Sequence, residues 1–144
     1  MTFTPKGVAQ HFEMLAAAAD AKILASEHAV GDVTLEHARA LFGDEQLLAP
    51  LQPETVASKA RRGAAEPDAP LIDTGHLRDS LYIEVDGPLV RVGSDDPVMI
   101  FHELGTRKMP ARPVLQLSVH AARREVRAIV RETAVALTET KIGD

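Results

Sequence analysis

One pair of residues, His102-Glu103, has the spacing with which a zinc site could begin. In zinc proteases a His-Glu pair on a helix is followed one turn later by a second histidine, so that both imidazoles face one metal ion. Thr106 stands at that place in this chain. Most of the protein ligands would therefore have to come from elsewhere. The pattern favours a polar end of a short helix over a metal site, and we expect neither a metal nor another cofactor.

The remaining histidines and the clustered aspartates do not form a catalytic pattern. The histidines show no ligand spacing and no neighbouring Ser or Asp that would make a nucleophile and its base. The aspartates could act as paired carboxylates for acid–base work or for Mg²⁺, but they stand at turns and strand ends, where Asp is common for backbone reasons. These residues are His11, His28, His37, His76, His120, Asp73, Asp79, Asp95 and Asp96. We predict that the protein is not an enzyme.

Three groups of cations are the other candidates for a functional surface. They are Arg61-Arg62, the group Arg107, Lys108 and Arg112, and the group Arg123, Arg124, Arg127 and Arg131. They could form a basic face for nucleic acid, but few aromatic side chains are available to stack bases and no glycine-rich phosphate loop is present. The formal net charge of −5 argues against a phosphate backbone as the main partner. The alternatives are solvated charge, contact with an acidic protein surface, and DNA that passes nearby without being read.

Length and composition limit the class of protein. A chain of 144 residues is expected to form one domain with one core. The absence of cysteine excludes disulfides, Cys-ligated zinc and thiol catalysis. No apolar run approaches the roughly 20 residues that span a bilayer, and the N-terminus lacks the order of a signal peptide. We therefore expect no membrane partner and, by default, a protein of the cytoplasm.

Helical periodicity dominates the first part of the chain. A stripe at steps of three and four predicts an amphipathic helix from Thr4 to about Ala29. It consists of Val8, Phe12, Leu15, Ala19 and Ile23. Gly31 and Asp32 are expected to interrupt this helix, and residues 34–42 to form a second one that ends at Gly43. Pro53 opens a further helical turn, and the small, proline-rich residues 63–70 predict a mobile loop.

The pattern then changes to that of a small sheet. Thr74-Gly75 marks a structural turn, and alternation over residues 81–86 predicts a strand with one buried face. Residues 89–94 supply a second strand, paired antiparallel as a hairpin. A short helix is predicted from Val98 to Leu104, and residues 114–117 are expected to add a short third strand.

The last element is predicted to be a long helix over residues 118–139, with Ser118 as its N-cap. Its apolar stripe consists of Ala122, Val126, Ile129, Thr133 and Leu137. The sequence thus predicts a single α+β domain over residues 1–144, in which a small antiparallel sheet packs against a long C-terminal helix. Its parts are mainly helical residues 1–62, the loop 63–70, β-rich residues 71–117 with a short helix, and the final helix.

A shaped loop connects the short helix to the final one. Gly105 can take the positive φ that ends a helix, and the two prolines fix φ and lack backbone donors. Its candidate contact residues are Gly105, Thr106, Arg107, Lys108, Met109, Pro110, Arg112 and Pro113. We expect these residues to pack against another subunit or protein, with Arg107 and Arg112 pairing to acidic groups there. The group Arg123, Arg124, Arg127 and Arg131 is a secondary basic surface.

Four segments, in this order, resemble a family of tailed-phage virion proteins known as tail completion, virion morphogenesis or minor tail component proteins. They are residues 50–55 with Lys59, residues 73–80, residues 90–94, and residues 102–115. The resemblance covers about residues 50–137, and Val114 stands where the family usually has Phe.

The resemblance implies a non-enzymatic α+β subunit of a phage or prophage. Such a subunit would be made in the host cytoplasm and would assemble as a ring, six-membered by this likeness, at the tail end or head–tail junction of the virion. Its partners would be further copies of itself and the tail tube, tail terminator or head–tail connector proteins, with DNA only as passing cargo. The alternative is a small host-cell module whose basic helix contacts nucleic acid or an acidic protein.

Overall fold

The computed structural model describes residues 5–139, which form five helices and two strands. In chain order these are α1 (Pro5–Ala40), α2 (Pro53–Arg61), α3 (His76–Asp79), β1 (Leu81–Asp86), β2 (Leu89–Ser94), α4 (Met99–Leu104) and α5 (Val114–Thr138). The α+β class, the antiparallel hairpin and the long C-terminal helix are confirmed. The predicted helix start at Thr4 lies outside the described residues.

The hairpin has the predicted antiparallel pairing and one apolar face. β1 and β2 pair antiparallel from Leu81 opposite Ser94 to Asp86 opposite Leu89. Gly87 has a φ of 55°, and Pro88 cannot follow it with a second positive φ, so the two-residue loop has the backbone requirements of a type II′ turn. The even-numbered residues of β1 are exposed while the odd-numbered ones are buried or half-buried, as the alternation predicts.

The prediction that α1 breaks at Gly31 is wrong, because the helix continues without interruption through Gly31 and Asp32. Gly31 is buried against the hairpin, and a Cβ at this position would lie only 3.1 Å from the Ile83 Cδ1 and 3.3 Å from the Val90 Cγ1. The missing side chain thus lets helix and sheet approach closely. A helical glycine costs up to about 1 kcal/mol against alanine, and here that cost is offset by packing.

The two long helices run antiparallel and form the frame of the molecule. The Lys22 Nζ donates to the Ala136 carbonyl at 3.0 Å, and the His37 Nε2 lies 3.0 Å from the Glu125 Oε1. Residues near the C-terminal end of α1 therefore lie beside residues nearer the N-terminal end of α5. The hairpin packs mainly on α1, whereas the sequence had predicted packing against the C-terminal helix.

The predicted third strand is absent from the described residues, since residues 114–117 form the first turn of α5. The predicted N-cap is also wrong: Pro113 is the N-cap, and Ser118 lies inside the helix with its hydroxyl donating to the Leu115 carbonyl at 2.8 Å. Val114 and Ser118 are fully buried and extend the buried stripe of α5 by about two turns towards the N-terminus. The predicted helix stripe itself is confirmed, with Ala122 fully buried.

The hydrophobic core lies where the end of α1, the start of β1, α4 and the start of α5 meet. It contains Ala38, Leu41, Phe42, Leu48, Leu81, Met99 and Val114. Because α4 and the first turn of α5 each contribute a core residue, both ends of the segment that joins them are fixed. The core therefore positions residues 105–113, the loop that the sequence predicts to be a contact surface.

Candidate docking surface

The docking loop, residues 105–113, folds back on itself. Gly105 has a φ of 72°, and a Cβ there would lie 2.8 Å from the backbone nitrogen of Ala111. Thr106 and Met109 exchange two backbone hydrogen bonds of 2.8 and 3.2 Å, which closes a tight turn. Only glycine fits at the point where the returning chain passes this closely. The loop therefore has a defined shape within the single chain.

The guanidinium of Arg112 is used inside the chain. Arg112 is 4% exposed; its Nε donates to the Ala49 carbonyl at 2.6 Å and its Nη2 donates to the Pro50 carbonyl at 2.9 Å. Burial lowers the pKa of this guanidinium. The expectation that Arg112 pairs with an acidic partner protein is thereby corrected: its donors join the docking loop to residues 49–50.

Arg107 and Lys108 lie at the tip of the same turn and face solvent. The backbone N–H of Lys108 donates to the Thr106 hydroxyl at 3.3 Å, which holds the turn from within. Neither cation forms an ion pair with any residue in the part of the chain that the structure describes. Of the predicted contact residues, Pro110 is also exposed, whereas Met109 and Pro113 are half-buried.

Glu103, one member of the pair considered for zinc, caps α5. Its Oε1 accepts the backbone N–H of Leu115 at 2.6 Å, which satisfies a donor in the first turn of the helix. A carboxylate at a helix N-terminus also interacts favourably with the helix dipole. Glu103 thus joins α4 to α5 across the base of the docking loop.

His102, the other member, is half-buried beside the docking loop. Its carbonyl accepts the backbone N–H of Arg112 at 2.6 Å, and its Nδ1 is buried without a hydrogen-bond partner among residues 5–139. Burial lowers the pKa of the imidazole, the nearby charge of Arg112 lowers it further, and Asp96 opposes both. His102 is therefore more readily neutral than an exposed histidine.

An exposed apolar face lies next to the cationic turn. On α4, Met99 is buried in the core, but Ile100, Phe101 and Leu104 are 56%, 53% and 75% exposed. Ile100 and Leu104 line a shallow depression of about 580 Å³ together with Leu115 of α5. Monomeric proteins seldom leave adjacent large apolar side chains in water. This α4 face is therefore a candidate contact surface, which we combine with the cationic turn under the name docking surface.

A separate cleft brings together three of the four sequence motifs. Its volume is about 390 Å³, and it is lined by residues from α2, from the Thr74-Gly75 turn and from α4, including Thr55 and His102. Gly75 has a φ of 86° and begins the one-turn helix α3, an element that the sequence did not predict. At the rim, the His76 Nε2 lies 3.8 Å from the Asp96 Oδ2. The docking loop does not line this cleft, so the cleft and the docking surface are different parts of the molecule.

The secondary basic surface is continuous on α5. Arg123, Arg124, Arg127 and Arg131 all face solvent and line one trough of about 500 Å³ with His120. We call the four arginines the arginine strip. The strip lies on the side of α5 opposite its buried stripe, because residues 122, 126, 129 and 133 form the face that is turned inward.

Two features of the structure were not predicted from the sequence, namely the buried Lys59 and the exposed α4 face. Lys59 is buried, and its Nζ donates to the Ala69 carbonyl at 2.7 Å and to the Glu66 carbonyl at 3.3 Å, so it anchors the loop 63–70. The α4 face could have been found, because four consecutive apolar residues from Val98 on a short helix cannot all face one core. Nothing local distinguishes Lys59 from an exposed lysine.

Residues 5–139 contain neither a cluster of metal-ligating side chains nor a membrane-spanning helix. In the described part of the chain, no three His, Cys, Asp or Glu side chains group as they would around a metal ion. Of the helices between residues 5 and 139, none combines the length and the apolar character needed to cross a membrane. Comparison with protein-family models, curated proteins and solved structures found no match to this chain.

Proposed function

We propose that the protein is a non-enzymatic structural subunit of a tailed-phage or prophage virion, which assembles as a ring at the tail end or head–tail junction. The observation that carries the proposal is the docking surface: an exposed apolar face on α4 beside a fixed turn that carries Arg107 and Lys108. An apolar centre with cations at its edge is typical of protein–protein interfaces. The order of the four sequence motifs supports the virion assignment.

A ring also needs a second, different surface on each subunit, because the contacts between neighbours are heterologous. The cleft of about 390 Å³ is a suitable receiving surface. Its rim includes Asp73, whose side chain is 49% exposed; the Asp73 Oδ2 pairs with Arg62 at 3.0 Å within the chain, so an incoming cation would share this carboxylate with Arg62. Further copies of the chain are the first partners in this proposal, and the tail tube, tail terminator or connector proteins are the next.

The test separates docking from folding. The variant Arg107→Glu/Lys108→Glu reverses both cations at the tip, and Leu104→Glu places a charge in the apolar face. The matched control is Arg39→Glu/Arg61→Glu, since both arginines are exposed and neither forms an ion pair within residues 5–139. Arg112 is left intact because its substitution would disturb the fold.

We expect all three purified variants to melt close to the wild type, since exposed substitutions change stability by roughly 0.5 kcal/mol or less. In the encoding phage or prophage, both docking variants should give defective tails and few infectious particles, whereas the control should not. Normal titres from folded docking variants would refute the proposal. So would a gene neighbourhood of metabolic enzymes in place of head and tail genes.

A further inference from the structure

The arginine strip has no counter-charge within the part of the chain that the structure describes. None of its four guanidinium groups forms an ion pair there, although other surface arginines, such as Arg62 and Arg91, do. The carboxylates on the same helix lie elsewhere: Glu125 contacts His37 of α1, and Glu132 is about 180° around the helix from Arg123. The chain as a whole is acidic, so this clustering is not a result of composition.

The clustering has an energetic cost. Arg123, Arg127 and Arg131 are spaced four residues apart, so that successive like charges are neighbours on one helix face. Each such pair opposes helix formation, and the nearest carboxylates do not relieve it. A polyanion that binds across the strip would remove this repulsion.

We propose that the arginine strip binds the phosphate backbone of duplex DNA without reading its sequence. At a rise of 1.5 Å per residue, Arg123 and Arg131 are about 12 Å apart along the helix, which matches the axial span of three to four successive phosphate-to-phosphate steps along one strand. The trough between the arginines is lined by Ala121 and Ala128, so no large side chain prevents a backbone from lying along it.

Two features favour duplex DNA over the other polyanions. Single-stranded nucleic acid is held by stacking on aromatic side chains, and no aromatic residue lines the trough, His120 excepted. An acidic protein surface would be expected to meet an apolar centre, as on the docking surface, yet the trough offers only two alanines among its cations. The inference does not depend on ring assembly, because the free subunit exposes the whole strip.

The experiment measures binding of the free full-length protein to a fluorescein-labelled duplex of about two helical turns, by fluorescence anisotropy. If all four arginines neutralise a phosphate, the slope of log K against log salt is about −3.6, and affinity falls about 150-fold between 50 and 200 mM salt. A duplex of unrelated sequence should bind equally well. Arg127→Ala/Arg131→Ala should halve the slope, so that the same salt step weakens binding only about 12-fold.

Arg39→Ala/Arg61→Ala is the control, because it removes the same charge from exposed sites outside the strip. It should keep the wild-type salt slope. No binding at about 50 mM salt, or equal slopes for the strip variant and the control, would overturn the proposal. Tighter binding of a polyglutamate peptide of the same charge as the duplex would also overturn it, in favour of an acidic protein partner.

Discussion

Replacement of Arg112 by Met tests whether this arginine acts within the chain. The substitution keeps an apolar side chain of similar length and removes the donors that reach the carbonyls of Ala49 and Pro50 at 2.6 and 2.9 Å. A hydrogen bond to a charged group contributes about 1.5–3 kcal/mol. Part of the loss is offset, because the variant no longer buries a charge. We therefore expect the free energy of unfolding to fall by about 2–4 kcal/mol.

Thermal and urea unfolding measure this effect. For a chain of this length, 1 kcal/mol corresponds to about 4 °C, so Arg112→Met should lower the Tm by about 8–16 °C. Arg112→Lys keeps the charge but loses the planar fork, and it should cost about half as much. Arg107→Met is the control from the same loop, and as an exposed site it should change stability by less than about 0.5 kcal/mol.

Two outcomes would contradict an internal role of Arg112. If Arg112→Met melts within about 2 °C of the wild type, the two internal hydrogen bonds contribute nothing measurable. If that same variant also fails to assemble, the guanidinium must serve a partner, as the sequence alone had suggested. Equal destabilisation by Arg107→Met would show that the loop responds to loss of any cation.

Two further predictions concern the residues at the base of the docking loop. Glu103→Ala removes the cap on the Leu115 N–H and should lower the free energy of unfolding by about 1–2 kcal/mol in urea titrations, whereas Glu103→Gln, which keeps an oxygen acceptor, should cost less. Burial lowers the pKa of His102 below the ordinary value of 6.5. The charge of Arg112 adds to this effect, and Asp96 opposes it. Because the unfolded chain then binds the proton more readily, stability should fall as the pH is lowered through 6.5 towards the folded-state pKa. Urea titrations across this pH range should show a flatter dependence in His102→Gln, and an unchanged dependence would contradict the assignment.

Local patterns predicted the elements whose formation depends on neighbouring residues. The hairpin follows from alternation over residues 81–86 and from the Gly87-Pro88 turn, and α4 begins within a residue of its predicted start. The stripe of α5 follows from helical spacing. In each case the signal and the structure that it specifies lie within a few residues of each other.

Two of the incorrect predictions share a physical cause, since each depended on a partner distant in sequence. Gly31 has the local signature of a helix end, but Ile83, which lies 52 positions later, makes the glycine a packing site. Ser118 has the signature of an N-cap, but the carboxylate of Glu103 supplies the cap from another helix. Tertiary contacts of this kind override local propensity and leave no trace in the local pattern.

Tertiary contacts also decide the roles of the two arginines of the docking loop, which lie within six residues of each other in sequence. Arg112 is directed at the chain segment before α2, whereas Arg107 is at the tip of a closed turn, so one is structural and the other is free to bind. Their roles are nevertheless linked. A loop that is already fixed by Arg112, Glu103 and Gly105 loses little conformational entropy when a partner binds to its tip, and association is stronger for that reason. In the proposed docking, the buried arginine would thus act by holding the exposed one in place.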